Sequence, residues 1–253
     1  MGDDRESVEL MSRRHLLKRA LGGVALATAF PHSGYALSED LSQVSAPRVR
    51  ESFDFGWKFL KGDTVGAQEQ EFADSGWRNV DLPHDWSIEG PYSEKEPAGA
   101  PGGYLPAGIG WYRKRFFVPE AYRDRTILVE FDGVYQNSEV WINGEYLGKR
   151  PYGFVPFAYD STKHLRFGSE NLIAVRVDNS LQPNCRWYSG SGIYRHTWLL
   201  VTNQVHVAHS GTFVTFPLVS REAATCRIET TIRNDGKSDV LCTLATSILG
   251  SDG

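Results

Sequence analysis

The sequence predicts an all-β protein, and three observations carry this prediction. From about Arg50 onward, apolar residues follow the short period of β-strands. Residues typical of turns separate the apolar runs. Almost no segment has the spacing of a long amphipathic helix. We therefore expect the chain after its N-terminal segment to fold from strands alone.

The first 36 residues are interpreted as an export signal. The stretch from Ser12 to Lys18 resembles the twin-arginine motif, an apolar run from Ala20 to Phe30 follows, and Ala36 precedes a candidate cleavage site. That run is too short to span a bilayer. We expect an exported product, periplasmic or secreted, without a membrane anchor after cleavage. The alternative is a cytosolic amphipathic helix with chance arginines. Residues 37–49 are predicted to be a linker.

Five runs are the strongest strand candidates between residues 50 and 203. In the run 171–177, Ile173, Val175 and Val177 alternate with residues that we expect nearer solvent. Asp178 is then expected just past the end of that strand. The predicted strands are 111–118, 125–131, 138–142, 171–177 and 194–201.

Two connections in this region have distinctive sequences. Asn143-Gly144 between apolar runs predicts a two-residue hairpin, because both central positions of a type I′ turn need positive φ. The segment 89–110 is rich in Pro and Gly and has no periodicity, which predicts a long loop. A loop of this length is either functional or disordered. Tyr104 and the following Trp111-Tyr112 favour a ligand rim.

The character of the sequence changes after Asn203. Strand-like runs at 205–207, 212–216, 224–234 and 240–249 predict a second domain, with a turn at Asn234-Asp235-Gly236 between two of them. About fifty residues are too few for a complete sandwich of about 100 residues. We therefore expect residues 204–253 to be a truncated domain.

Composition limits the classes of partner. The 253 residues carry a formal net charge of -4, with Lys and Arg scattered, so no basic face predicts nucleic-acid binding. Three cysteines, Cys185, Cys226 and Cys242, have no metal-type spacing, and no metal site is predicted. We expect free, mostly buried thiols, although Cys226 and Cys242 flank predicted neighbouring strands and their pairing stays open.

The loop from Asp178 to Arg195 is the best candidate binding element. It reads DNSLQPNCRWYSGSGIYR and combines a carboxylate, amides, a guanidinium and aromatic rings, the groups that bind sugar hydroxyls and ring faces. The candidate substrate-binding residues are Asp178, Asn179, Arg186, Trp187 and Tyr104. Trp187 could stack on a sugar face, and Arg186 could hold Asp178 or a sugar hydroxyl.

Each candidate also has a structural interpretation. The whole segment could be a solvated sandwich loop. Asp178 could close a turn onto the backbone of Asn179 or Ser180. Trp187 could be a core or interface aromatic, and Arg186 could form a salt bridge that shapes the loop.

Six ordered motifs together resemble glycoside hydrolase family 2, and its β-galactosidase branch most closely. The resemblance covers roughly Arg50 to the end of the chain. The motifs are Leu82-Pro83-His84-Asp85-Trp86, Gly110-Trp111-Tyr112-Arg113, Phe131-Asp132-Gly133-Val134, Val140-Trp141-Ile142-Asn143-Gly144 with Gly148, Asn171-Leu172-Ile173-Ala174-Val175-Arg176-Val177, and the loop from Asp178.

The resemblance implies a jelly-roll-like sugar-binding domain at 50–203 and the start of an immunoglobulin-like β-sandwich at 204–253. It also implies a (β/α)₈ barrel with a catalytic pair of glutamates, and neither the family's Asn-Glu dipeptide nor strand-helix alternation occurs here. We therefore expect no catalytic residue, no cofactor and no turnover from this chain alone, since a retaining glycosidase needs two opposed carboxyl groups. The implied partners are a β-galactoside-like carbohydrate and a family 2 barrel.

The resemblance further implies that Asp178 presents its carboxylate to galactose hydroxyls. The triplet His84-Asp85-Trp86 is not predicted to be catalytic, because no activated serine accompanies it. We expect His84 and Asp85 to fix the turn that carries Trp86, or one of them to line the sugar site. Two other functions stay open: a freestanding carbohydrate-binding module, and an adhesion or scaffold sandwich without a sugar site.

Overall fold

The computed structural model describes residues 46–184 and 186–250, and it confirms the all-β prediction. Within these two ranges, the only helical elements are 3-10 turns of three residues. The predicted export signal, most of the linker and Cys185 lie outside the described residues. The strands are β1 (Arg48–Ser52), β2 (Trp57–Lys61), β3 (Arg78–Val80), β4 (Gly108–Val118), β5 (Arg125–Phe131), β6 (Ser138–Ile142), β7 (Glu145–Arg150), β8 (Phe157–Asp160), β9 (Ser169–Asn179), β10 (Thr197–Asn203), β11 (Val205–Val219) and β12 (Ala224–Asn234).

Ten of these strands form a β-sandwich of two antiparallel sheets. One sheet has the order β1-β10-β5-β8, and the other has the order β3-β2-β4-β9-β6-β7. The longest pairing joins β4 to β9, from Gly108 opposite Asn179 to Val118 opposite Ser169. This register places the end of the Pro- and Gly-rich loop, which leads into β4, beside the start of the loop that follows β9.

The core lies between the two sheets and is made by the period-2 residues of both. Tyr112, Ile173 and Val175 of the six-stranded sheet and Val129 and Val201 of the four-stranded sheet are fully buried. Burial of this apolar surface is the main favourable term in folding. A second, smaller cluster covers the outer face of the six-stranded sheet and includes Ala67, Trp77, Trp111 and Ala174.

Because of that second cluster, the predicted solvent exposure of one face of β9 is wrong. The residues that alternate with Ile173 and Val175 were expected nearer solvent, but Leu172 and Ala174 are both 1% exposed. The reason is tertiary, because the connection between β2 and β3 folds over this face and contributes Ala67 and Trp77. A period-2 pattern cannot report such a cover.

Five predicted strand ends are also wrong, and two of them are the start of β9, at Ser169, and the end of β10, at Asn203. β4 begins at Gly108 instead of residue 111, and β9 continues to Asn179, because the ladder between the two strands extends through Ile109 and Asp178. Asp178 therefore lies within the strand. β10 begins at Thr197, whereas residue 194 was predicted. The three residues before Thr197 contact other loops, as when the His196 carbonyl oxygen accepts a hydrogen bond from Asp132 N at 2.9 Å.

The predicted Asn-Gly hairpin is confirmed. β6 and β7 pair from Ile142 opposite Glu145, and the turn residues Asn143 and Gly144 have φ of 53° and 88°. Both angles are positive, as a type I′ turn requires. Asn143 also joins the turn to β9, since its Oδ1 accepts a hydrogen bond from Leu172 N at 2.9 Å.

After the sandwich, the described chain forms a two-stranded antiparallel sheet of β11 and β12. The two predicted runs at 205–207 and 212–216 belong to one strand, and the register shifts between Val207 and Thr212. The prediction of a strand at 240–249 is wrong, because those residues have no strand partner in the described part of the chain. Asn234-Asp235-Gly236 follows β12 as a turn, with Gly236 N donating to Asn234 Oδ1 at 2.9 Å.

The prediction of mostly buried thiols is corrected for two cysteines of the same region. Cys226 and Cys242 are both free, but Cys226 is half-buried and Cys242 is exposed. None of the described residues forms a helix long and apolar enough to cross a membrane.

Candidate functional site

The two loops that flank the β4–β9 ladder lie together at one end of the sandwich. The Pro- and Gly-rich loop has a folded course: Ser93 N donates to the Tyr104 carbonyl oxygen, and Tyr104 N donates to the Gly99 carbonyl oxygen, both at 2.9 Å. Gly99 and Tyr104 each have a φ of 55°. This loop packs against the loop after β9 in a seam where Ser87 Oγ bonds to the Pro106 carbonyl oxygen and to Ser191 Oγ, each at 2.7 Å.

The seam is too small to hold a sugar. It encloses about 20 Å³, roughly the space of one water molecule. Trp187 and Tyr188 lie at its edge with 65% and 38% of their surfaces exposed. A sugar ring could therefore not enter the seam, and it could contact only the edge where Trp187 and Tyr188 lie.

Asp178 has the contacts of the turn-closing interpretation. Its Oδ1 accepts hydrogen bonds from Ser180 N at 3.0 Å and from Ser180 Oγ at 2.6 Å. Its Oδ2 lies 3.3 Å from Arg176 Nη1, so Arg176 is its ionic partner. Burial alone would raise the pKa of Asp178, but the hydrogen bonds from Ser180 and the charge of Arg176 lower that pKa below its ordinary value. The carboxylate is thus ionised and fixed in position, which leaves its role in sugar binding a prediction.

The side-chain amide of Asn179 joins several parts of the loop through hydrogen bonds. Asn179 is 3% exposed, and its Nδ2 donates to the Gly190 carbonyl oxygen at 3.1 Å and to Ser191 Oγ at 2.7 Å. Its Oδ1 accepts from Gln182 and Asn184 at 2.9 and 2.7 Å. With its amide so engaged, Asn179 holds the loop together, and direct contact with a sugar would require it to give up one of these bonds.

The remaining predicted residues are at the surface. Trp187 is not a core aromatic, because 65% of it is exposed. Arg186 is exposed and forms no hydrogen bond or ion pair with any described residue, so it does not hold Asp178. Tyr104 is 40% exposed within the folded Pro- and Gly-rich loop. Of the five predicted residues, Asn179 and Trp187 line the same seam.

Asp85 organises the loop, whereas the sequence predicted that it fixes the turn carrying Trp86 or lines the sugar site. Its Oδ1 accepts from Ser87 N at 2.9 Å and from Ser191 N at 2.8 Å, and the hydroxyl of Tyr188 donates to its Oδ2. The predicted turn onto Trp86 is therefore present, but Asp85 also bonds across to a loop about a hundred residues later. Burial, followed by the bond to Asp85, raises the pKa of Tyr188, which keeps the phenol protonated.

His84 is buried beneath the same end of the sandwich. Its Nδ1 lies 2.7 Å from Tyr112 Oη, and its Nε2 lies 2.9 Å from Arg78 Nη2 and 3.2 Å from Glu89 Oε1. Burial is the main reason that the pKa of His84 is lowered. The backbone close by explains a glycine, since Gly192 has a φ of +120° and an added Cβ would lie 2.8 Å from the His84 carbonyl oxygen.

The chemistry available at this end is recognition. The carboxylates of Asp85 and Asp178 both accept hydrogen bonds from fixed loop donors, and aromatic rings stand at the edge. Among the described residues, no group of three His, Cys, Asp or Glu side chains is arranged to hold a metal ion. Such an arrangement suits hydrogen bonding and stacking with a polyol.

Comparison with known proteins identifies the family of the chain. The profile of the family described as "Glycosyl hydrolases family 2, sugar binding domain" matches residues 57–203. The chain is 47% identical over 212 residues to the β-galactosidase BoGH2A of Bacteroides ovatus, covering 84% of this chain and 25% of that protein. It is 41% identical over 191 residues to a putative β-glucuronidase of Formosa agariphila, covering 76% and 18%.

A solved structure agrees with these sequences. The crystal structure of a β-glycosidase from Bacteroides vulgatus superposes with a TM-score of 0.71 and 45% identity over 75% of this chain and 25% of that chain. The chain thus spans about a quarter of the length of BoGH2A and of the Bacteroides vulgatus β-glycosidase, and 18% of the Formosa agariphila protein. From the matched profile, the identities and the sandwich with its loop-built end, we conclude that this chain belongs to glycoside hydrolase family 2 and contains the family's N-terminal sugar-binding domain.

Proposed function

We propose that this chain is the sugar-binding part of an exported β-galactosidase-type enzyme and forms one wall of its glycoside pocket. The observation that carries the proposal is the loop end of the sandwich, where Trp187 is 65% exposed beside a loop held by Asn179 and Asp85. An exposed indole on an ordered loop can stack on a sugar ring without a cost in loop entropy. Asp178, ionised and fixed at the end of β9, is the hydrogen-bond acceptor for sugar hydroxyls.

Hydrolysis is assigned to a catalytic barrel outside these 253 residues. A retaining glycosidase needs two carboxyl groups about 5 to 5.5 Å apart across the scissile bond. Asp85 and Asp178 are instead committed to loop donors. The barrel would supply the catalytic pair and pack against the loop end of the sandwich. The name and the greater length of BoGH2A support this division of roles.

Export through the twin-arginine route is the second part of the proposal. It rests on the order of the arginine pair Arg13-Arg14, Lys18 and the short apolar run that follows. Replacing both arginines with lysine is expected to leave the protein in the cytoplasm of a host with this pathway. Export of the double variant at the level of the original protein would contradict the assignment.

A β-glucuronide is a second candidate substrate. Arg186 is exposed next to Trp187 and has no ionic partner among the described residues, so its guanidinium is available to a uronic carboxylate. The relative from Formosa agariphila is named a putative β-glucuronidase. Arg186→Met should abolish a preference for glucuronides and leave a preference for galactosides.

Binding by the purified chain tests the proposal. Titration with methyl β-galactoside, followed by NMR, is expected to give weak saturable binding that Trp187→Ala removes. Phe213→Ala is the matched control, because Phe213 is a similarly exposed aromatic, at 62%, on the β11–β12 hairpin. No p-nitrophenyl β-galactoside should be hydrolysed by the chain alone. Hydrolysis by the chain alone, or binding insensitive to Trp187→Ala, would contradict the proposal, and tight binding without any turnover in the full-length gene product would favour a freestanding binding module.

A further inference from the structure

A second cleft lies on the outer face of the six-stranded sheet, and it shares no lining residue with the loop seam. Its volume is about 350 Å³, which is the scale of a small-ligand pocket. One wall is the segment that begins at Asp63, after β2. The floor consists of side chains from β4, β9 and β6, namely Trp111, Arg176, Glu139 and Trp141.

The sheet register creates an aromatic floor in this cleft. Trp111 on β4 and Trp141 on β6 lie on either side of β9 and stack with their ring centroids 5.3 Å apart and an interplanar angle of 28°. They can meet because β9 places the small side chain of Ala174 beside them. Tyr146 of β7 continues the row, 5.4 Å from Trp141 and half exposed.

The polar edge of the cleft is equally well fixed. Arg176 Nε and Nη2 bind the two carboxylate oxygens of Asp63 at 2.9 and 2.8 Å. Trp111 Nε1 also donates to Asp63 Oδ1, at 3.2 Å. Arg176 Nη1 lies 3.4 Å from Glu139 Oε2, which leaves Glu139 Oε1 without a hydrogen bond among the described residues.

These charges select the ligand. Asp63, Glu139 and Asp178 surround one guanidinium, so the cluster carries an excess of two negative charges, and an anionic ligand would be repelled. Arg176 lies at the centre of the three carboxylates. Trp111 is 4% exposed and supports Trp141 from beneath, so the partly exposed indole of Trp141 is the stacking surface. A neutral ligand with an apolar face for Trp141 and hydroxyl donors for Glu139 fits both halves of the cleft.

We propose that this cleft binds a neutral sugar unit of a glycan chain, in addition to the sugar contacts at the loop end. The two sets of contacts are joined through Arg176, which pairs with Asp63 in the cleft and with Asp178 at the end of β9. The proposal does not rest on galactosidase activity, because only the contacts within the cleft support it.

The test is a titration of the purified full chain with cellotetraose, a neutral oligosaccharide, and with tetragalacturonate as its anionic counterpart. We expect cellotetraose to shift the indole Nε1–H resonance of Trp111, which donates to Asp63, and to leave that of Trp57 unchanged, since Trp57 is buried and donates to the Phe53 carbonyl oxygen. Tetragalacturonate should not shift either resonance.

Two variants locate the binding. Trp141→Ala should weaken cellotetraose binding by about tenfold or more, because stacking is lost. Glu139→Gln removes only a charge at the surface of the fold and should weaken binding several-fold while Tm stays unchanged, so the test survives if Trp141→Ala fails to fold. Trp187→Ala is the matched control and should leave the Trp111 shift intact. An absent Trp111 shift, tighter binding of tetragalacturonate, or binding unaffected by Glu139→Gln and Trp141→Ala would overturn the proposal.

Discussion

The sandwich and the β11–β12 hairpin have similar strand-like sequences but very different burial. In the sandwich, residues such as Phe131 and Val175 are 0% exposed. In the hairpin, Phe213, Phe216 and Leu218 are 62%, 59% and 62% exposed. A two-stranded sheet has no second layer, so its apolar side chains cannot leave water. An apolar surface of this kind is typical of an interaction surface.

Three contacts between described residues join the hairpin to the sandwich near its base. Thr126 Oγ1 donates to Asp235 Oδ2 at 3.0 Å, and His209 Nε2 lies 3.3 Å from Glu130 Oε1. The guanidinium of Arg48 donates to the Val207 carbonyl oxygen. Apolar alternation therefore predicts strands, whereas stability depends on whether a second layer covers them. The following predictions test this difference, in order of decreasing effect.

Removing a large ring should separate the two regions most clearly. Phe131 is fully buried and stacks on Phe157 at 5.0 Å, so Phe131→Ala should lower the free energy of unfolding by about 3–5 kcal/mol. Phe213→Ala in the hairpin should change it by less than about 0.5 kcal/mol. Urea unfolding followed by tryptophan fluorescence measures both. Equal effects would show that the hairpin is covered in solution.

Breaking an ion pair should show the same contrast. Arg113 is 0% exposed and pairs with Asp74 at 2.8 Å, so Asp74→Ala leaves a buried charge unpaired and should cost about 3–5 kcal/mol. The matched hairpin pair, Arg227 with Glu229 at 2.7 Å, is exposed, and Glu229→Ala should cost less than about 1 kcal/mol. A small loss for Asp74→Ala would mean that water reaches Arg113 in the folded protein.

Substitutions of Asp85 and Asp178 at the loop end should differ in their effects on stability and on kcat/KM. Asp85→Ala leaves Ser191 N and Ser87 N without their acceptor and should cost about 1–3 kcal/mol together with faster amide exchange at Ser191. Asp178→Asn should cost less stability, because the amide oxygen still accepts from Ser180. In the intact enzyme, Asp178→Asn should lower kcat/KM by the equivalent of about 1–3 kcal/mol. Unchanged kinetics with a lowered Tm would assign Asp178 to the turn alone.

Acid should weaken the sandwich through Asp63. The hydrogen bonds from Arg176 lower the pKa of Asp63 from 3.8 to about 2 in the folded state. The folded state thus prefers the ionised form, and its contribution is complete above about pH 4 and disappears as the pH falls through about 2. Asp63→Asn should therefore lose less free energy of unfolding between these pH values than the original protein. An identical pH dependence of the two proteins would contradict this.

Several features of the fold and site could be predicted from the sequence because their causes are local. The Asn143-Gly144 hairpin follows from the φ angles that those two residues tolerate. The strands β5, β6 and β12 follow from apolar alternation and end at the predicted residues. The loop after β9 was predicted to be a binding element from its side-chain types. The ends of β4 and β9 were missed because the ladder between them, and not residue type, decides where each strand stops.

The sequence by itself determined the all-β class, five of the ten sandwich strands and the family, since these depend on periodicity, turn residues and ordered motifs. Only the tertiary structure decided which residue does what at the loop end. Asp85 accepts a hydrogen bond from Ser191 N, and the side-chain amide of Asn179 is engaged within its own loop. Arg176, and not Arg186, forms the ion pair with Asp178. The physical reason is that hydrogen bonds and ion pairs depend on distances between groups far apart in the chain, which the register of β4 with β9 sets and no local pattern contains.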